Sequence, residues 1–287
     1  MYDYLMNGKE YGKMYLGIIN GWEEGHFKAV SELGLQGIEF CINGSVDSAP
    51  VLAKADEIRA NSEKYGVRVG SIGRWGMPRV DENGEVIPEA RQHDKNLIDL
   101  CAKVGCPVYN VGCNRTEGKT FYENCQIAIG VFSYLIDYAR DKGVKIAVYN
   151  CDWDNFVYND KSWAVVLSAL PELGIKYDSS HAINRREDYL KLLADWKERV
   201  YHVHIKGNLQ VDGHSYDDSP AGLDTTKWRA IMALLYIGNY DGMLSIEPHS
   251  HNWRGVKGQW AIKYTIDFMR PFIMPEDFTA ADDVYMP

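Results

Sequence analysis

Eight short runs rich in β-branched and aromatic residues alternate along this chain with eight segments of helical apolar spacing. This rhythm constrains the fold most, because parallel strands need long crossovers, usually helices, to join them. Strands are expected at Met14–Ile19, Gly37–Phe40, Val67–Ile72, Pro107–Val111, Lys145–Tyr149, Ile175–Asp178, Val200–Lys206 and Met243–Glu247. Helices are expected at His26–Leu33, Val51–Tyr65, Asn96–Val104, Thr120–Asp141, Ser162–Leu170, Asp188–Trp196, Thr226–Leu235 and Gln259–Phe268. Gly34, Gly66 and Gly105 serve as stops, and Thr120 with Glu123 makes a capping-box pattern. Residues 81–84 read as a turn and residues 207–224 as a polar loop. Nothing linker-like interrupts the series, so residues 1–287 are expected to form one domain, a single (β/α)8 barrel. A doubly wound open sheet is the alternative. No Gly-rich phosphate loop or dinucleotide fingerprint follows the first strand, which counts against it.

Bulk properties narrow the function. A net charge of −9 argues against nucleic acid as partner and suits a small polar substrate, with or without a cation. No apolar run approaches a membrane span. Met1-Tyr2-Asp3-Tyr4 has neither a basic start nor an apolar signal region, so a cytoplasmic protein is expected. The six cysteines lack metal-type pairing and read as reduced thiols.

The seventh strand is chemically unusual. Alternate side chains share a face of a strand, so His202, His204 and Lys206 point one way and Tyr201, Val203 and Ile205 the other. Taken alone, that is an edge strand with a solvated polar face. In a barrel, reactive groups gather at the C-terminal strand ends, and the polar residues of this chain fall there. The second strand ends at Glu39, and the third runs into Arg74 and Trp75. The fifth runs through Tyr149 and Asn150 to Asp152 and Asp154. The sixth delivers Asp178 with His181 three residues on, and the eighth delivers Glu247. Asp178, His204 and Glu247 come from three successive strands about 4.8 Å apart, so they can meet around one ion. Two carboxylates and an imidazole suit Mn²⁺ or Mg²⁺, and also Zn²⁺ or Co²⁺. Each also has a plainer reading: Asp178 as a cap for the next helix, Glu247 as a partner of Lys206.

Four motifs in order carry a family resemblance. They are Tyr177-Asp178-Ser179-Ser180-His181, then His202-Val203-His204-Ile205-Lys206, then Pro220-Ala221-Gly222 leading to Trp228, then Gly242-Met243-Leu244-Ser245-Ile246-Glu247. The chain resembles the xylose-isomerase-like TIM-barrel superfamily of sugar (phosphate) isomerases and epimerases. That resemblance implies Asp178, His204 and Glu247 as ligands of one divalent ion, Mn²⁺ first. It implies His181 as a substrate-polarising group, Glu247 as a base, and Lys206 as a hold on a hydroxyl, carboxylate or phosphate. The implied reaction is proton abstraction beside a carbonyl, with the metal holding the enediolate. Many members end the fifth strand in a fourth ligand, a Glu. Here Tyr149 stands in that place, and Cys151 replaces the second His of a neighbouring His-Asn-His branch. Tyr149 is a poor base near neutral pH, leaving His202, Asp152 or Asp154 as substitutes.

Three readings follow: an isomerase or epimerase; a lyase on oxidised (3-oxo) glycosides, with or without a small partner chain; and a sugar-binding barrel that has lost catalysis. A nuclease of the same superfamily would need more His and acidic ligands. Glu39, Arg74, Trp75, Asn150, Asp152, Asp154, Trp253 and Arg254 are the candidate substrate contacts. Trp22 and Trp153 are further candidate ring platforms, while His249 and His251 read as loop residues. Self-association into a homo-oligomer is compatible with the sequence.

Overall fold

The computed structural model describes residues 13–275, so the N-terminal tetrapeptide read for export lies outside the described residues. Eight parallel strands close into a barrel: β1 (Tyr15–Ile19), β2 (Gly37–Cys41), β3 (Arg68–Gly73), β4 (Val108–Val111), β5 (Lys145–Tyr149), β6 (Gly174–Tyr177), β7 (Val200–Ile205) and β10 (Met243–Ile246). Around the ring, β7 lies between β6 and β10, and β10 closes onto β1. The expected strands therefore form, within one or two residues at their ends.

The segments between strands follow the alternation with four larger departures, besides end shifts of up to four residues, as where the closing helix runs Gly255–Met269. The segment expected as one helix over 51–65 is two, α2 (Ser48–Ala53) and α3 (Ala55–Tyr65). They part at Lys54, whose φ of −90° and ψ of 8° leave the helical well. Helix α4 (Pro88–Val104) starts eight residues before its expected start, because Pro88 sits in the first turn, where its missing N–H costs nothing. A short helix, α7 (Ser179–Asn184), follows β6 directly. The loop after β7 holds an antiparallel hairpin, β8 (Leu209–Val211) with β9 (His214–Asp217). The capping box of Thr120 and Glu123 opens α5 (Phe121–Arg140) as expected.

The two ends of the bore differ in chemistry. At the N-terminal end, Gly17, Gly37 and Gly70 on three strands leave room for the Met243 thioether, and a Cβ on any of them would overlap its sulfur. Further up, the interior turns polar. Asn110 Nδ2 donates to Ser71 Oγ at 2.6 Å, and Ser71 Oγ donates to Glu39 Oε1 at 3.4 Å. This layer is the floor of the site. All six cysteines are free thiols. Among the described residues no helix is long and apolar enough to cross a membrane.

Candidate metal centre

Backbone pairing sets the heights. In the β6–β7 ladder Lys176 lies opposite His202, and in the β7–β10 ladder His204 lies opposite Ser245. Glu247 extends the second ladder, its N–H donating to Ile205 O at 3.1 Å. Period-two alternation then turns Lys176 and Asp178, His202, His204 and Lys206, and Ser245 and Glu247 into the bore.

His204 stands at the centre. Its Nε2 lies 3.0 Å from each oxygen of Glu39, and its Nδ1 lies 2.8 Å from Glu247 Oε2 and 3.9 Å from Asp178 Oδ2. His202 Nε2 lies 2.9 Å from Glu39 Oε2. Burial alone would push the Glu39 carboxyl up, but the two imidazoles outweigh it and hold it well below the usual range. An ionised carboxylate only accepts, so both Nε2 atoms carry protons and donate to it. His204 Nδ1 lies 2.8 Å from Glu247, which is also held ionised, so by the same rule it donates there; on giving up that proton the ring keeps Nε2–H on Glu39 and turns the Nδ1 lone pair to Asp178 and Glu247. Burial lowers the His204 pKa, yet Glu39 and Glu247 together leave it raised, whereas for His202 burial prevails over Glu39 and its pKa falls.

Two groups of ligand atoms, each within 4.8 Å of one another, share His204: Glu39–His202–His204 and Asp178–His204–Glu247. In the first, both imidazole nitrogens are spent as donors to Glu39, so the group acts as a holder. In the second, His204 Nδ1 is the nitrogen not committed to Glu39, and it has a lone pair to give once its proton toward Glu247 has left. Bonds of about 2.1 Å to an ion imply donor spacings of roughly 3.0–3.6 Å. The 2.8 and 3.9 Å separations bracket that range, and all three donor atoms lie within 4.8 Å of one another, which brings the set within reach of one ion.

Asp178 has two duties, one per oxygen. Its Oδ1 accepts from Ser180 N at 3.0 Å and Ser180 Oγ at 2.7 Å, capping α7. Its Oδ2 faces the cage, 3.1 Å from Lys206 Nζ and 3.4 Å from Lys176 Nζ. Lys206 Nζ is also 3.1 Å from Glu247 Oε2 and 3.4 Å from His181 Nε2. Burial opposes ionisation of Asp178 and Glu247, but the ammoniums and His204 overcome it and hold both carboxyls below their usual range. His181 is pushed down to about 3, by burial first and by the nearby ammoniums, with Asp178 opposing, so it is neutral at physiological pH. The side chains of Glu247 and His181 are the exposed edge of the cage, at 19% and 20%, against 4% or less for Asp178, His202, His204 and Lys206.

The sequence of residues 27–272 matches the xylose isomerase-like TIM barrel family. The chain belongs to that family. No curated protein sequence matches it. Among solved structures, the apo form of the 3-keto-D-glucoside 4-epimerase YcjR from E. coli superposes with a TM-score of 0.71 at 18% identity, over 90% of this chain and 100% of that one. A D-allulose 3-epimerase from Methylomonas sp. gives 0.72 at 16%, over 91% and 98%. The IolI protein with a bound zinc atom gives 0.72 at 17%, over 90% and 98%.

Within this family frame, several residues expected at the substrate have other work. Glu39 is fully buried and spent on the two histidines, and His202 faces Glu39 rather than a cleft. Arg74 is fully buried, its guanidinium donating to the carbonyls of Ile42, Val46 and Gly44 at 3.2, 2.8 and 3.3 Å, which ties down the loop after β2. Asn150 clamps the backbone of Asp178 in both directions, at 2.8 and 3.0 Å. Tyr149 is buried, donates to Trp153 O at 3.1 Å and has its pKa raised, chiefly by burial, so its hydroxyl is protonated and committed to the loop beyond β5.

Arg254 is exposed and donates to the carbonyls of Pro248 and His249, each at 3.1 Å. Trp253 donates to Asp217 Oδ2 at 2.8 Å. Asp152 and Asp154 lie in the loop beyond β5, Asp154 with a φ of +46°. Trp75 does approach the cage, its ring 6.2 Å from that of His204 and stacked on Tyr149 at 5.6 Å. Sequence reading missed Lys176. Its signal was present, since Lys176 and Asp178 share a face by alternation.

Proposed function

We propose that this protein is a divalent-metal-dependent sugar or sugar phosphate isomerase or epimerase, removing a proton from the carbon beside a carbonyl. The observation that carries this reading is the convergence of Asp178 Oδ2, His204 Nδ1 and Glu247 Oε2, with Glu39 fixing the His204 tautomer. These three residues would hold the ion, which would supply positive charge against the oxyanion developing on the substrate. Mn²⁺ fits this oxygen-rich donor set best, with Mg²⁺, Zn²⁺ and Co²⁺ as alternatives.

The partly exposed Glu247 carboxylate is ionised and takes the proton. Neutral His181, at the same edge, offers a hydrogen-bonding nitrogen to a substrate oxygen. Trp75, buried between Tyr149 and His204, walls that side of the cage. The likeness to sugar epimerases agrees with this class.

A specific observation favours a second reading. Tyr149 occupies the end of β5 with its hydroxyl committed to Trp153 O, so no second carboxylate faces Glu247 from that strand. A single base serves isomerisation or β-elimination, and the superposition on a 3-keto-D-glucoside 4-epimerase makes oxidised glycosides the substrates to try for elimination.

One assay tests both readings. Protein purified without chelator, supplied with Mn²⁺ in D₂O and offered ketohexoses, their phosphates and 3-keto-glucosides, should bind about one ion per chain. It should also place deuterium beside the carbonyl, read by proton NMR. Less than about a tenth of an equivalent of ion, with none taken up on addition, overturns the metal reading. One bound ion and a bound sugar without exchange identifies a barrel that binds and does not turn over.

Glu39→Gln offers a further check. An amide has no charge and puts an N–H donor in place of one of the two oxygens that Glu39 turns to His204 Nε2–H, so it holds the imidazoles less well. Loss of such a carboxylate behind a ligand histidine costs about 10- to 100-fold in metal affinity. Equilibrium dialysis measures it, and unchanged affinity removes Glu39 from that role.

A further inference from the structure

Resting on the metal reading above, we propose that the Lys206 ammonium is the resident cation of the Asp178–Glu247 cage, and that metal loading is an exchange in which the ion takes those carboxylates and Lys206 swings out. Lys206 Nζ lies 3.1 Å from both Asp178 Oδ2 and Glu247 Oε2, and these are the same two oxygens that face His204 Nδ1. An ion drawn to His204 must therefore draw on lone pairs that Lys206 already uses.

The charge balance of the bore leads to the same exchange. Three carboxylates, Glu39, Asp178 and Glu247, face two ammoniums, Lys176 and Lys206, which leaves one net negative charge when the histidines are neutral. A divalent ion added with Lys206 in place would leave one uncompensated positive charge in a buried site, which is costly. With Lys206 gone, the ion and Lys176 balance the three carboxylates. Among the described residues the ion pair of Lys176 is with Asp178, at 3.4 Å, and Lys176 lies one alternation deeper in the bore, so it is the ammonium that stays.

Lys206 also has somewhere to go. It ends β7 on a flexible four-carbon stem, and its ammonium is already 3.4 Å from His181 Nε2 at the exposed edge of the cage. Turned outward, it becomes a positive group at the mouth, where a hydroxylate, carboxylate or phosphate of the substrate arrives.

Two measurements on the full chain test the exchange. Equilibrium dialysis against Mn²⁺ and against Zn²⁺ alone should give Lys206→Met an affinity at least about tenfold higher than the unaltered protein, because one competing charge at the cage is removed. Lys206→Arg, which keeps the charge, should bind no tighter than the unaltered protein. Acetylation of the unaltered protein, read by peptide mass spectrometry, should show Lys206 protected without metal and labelled once Mn²⁺ is bound, with Lys176 protected in both states. Lys206 that stays protected in the metal-loaded protein, or a Lys206→Met variant that binds no tighter, overturns the exchange and leaves the metal reading standing. If neither the unaltered protein nor Lys206→Met binds an ion, the metal reading falls and the exchange with it.

Discussion

His204→Ala abolishes both metal uptake and turnover in the expected outcome, the largest effect of any single change. The ring supplies the one nitrogen of the proposed Asp178–His204–Glu247 set, and its other nitrogen ties the cage to Glu39 across the bore. Stability falls as well, because Glu39 loses one of two imidazole donors while remaining fully buried. A hydrogen bond to a buried charged group contributes about 1.5–3 kcal/mol. Far-UV circular dichroism checks that the barrel forms, and His204→Gln, with a polar head of similar reach, serves if alanine does not fold. Stoichiometric metal in a folded His204 variant would place the ion elsewhere in the molecule.

Glu247→Gln should be nearly as severe and separates two roles. The substitution keeps the shape but removes the charge that Oε2 offers to His204 Nδ1 and Lys206. Loss of a proton-abstracting group typically costs about 10²–10⁴ in rate. Metal affinity should fall too, so the rate is compared at saturating Mn²⁺ with occupancy confirmed by elemental analysis. A fully loaded variant that exchanges substrate deuterium within about fivefold of the unaltered protein would show that the base is another group. His181 is then the first to examine, since it is the other partly exposed member of the cage.

Much of this was legible in the sequence because it depends on local periodicity. The β5 segment Lys145–Tyr149 forms with the bounds its composition indicates, and Thr120 caps α5 with the partner its spacing names. The convergence of Asp178, His204 and Glu247 was also legible, since parallel neighbours at matched strand ends must bring their inward residues together. Lys54 and Pro88 set helix limits through backbone preferences that apolar spacing does not register. Arg74 was read as a substrate contact because an arginine after a strand looks available. In the structure its guanidinium is consumed by three carbonyls of the loop after β2, a pairing between segments some thirty residues apart.

The sequence by itself determined the eight-fold alternation, the inward face of β7 and the three donors at adjacent strand ends, because each follows from period-two geometry and the order of strands. Only the tertiary structure decided which nitrogen of His204 holds Glu39 and which faces Asp178 and Glu247. That depends on Glu39, 165 residues away in sequence and on the far side of the bore. It likewise decided that Lys206 lies between the Asp178 and Glu247 carboxylates instead of reaching for substrate, since that position is set by the balance of five charges from four strands. Charge compensation across a closed bore has no sequence period, so only closing the barrel brings it about.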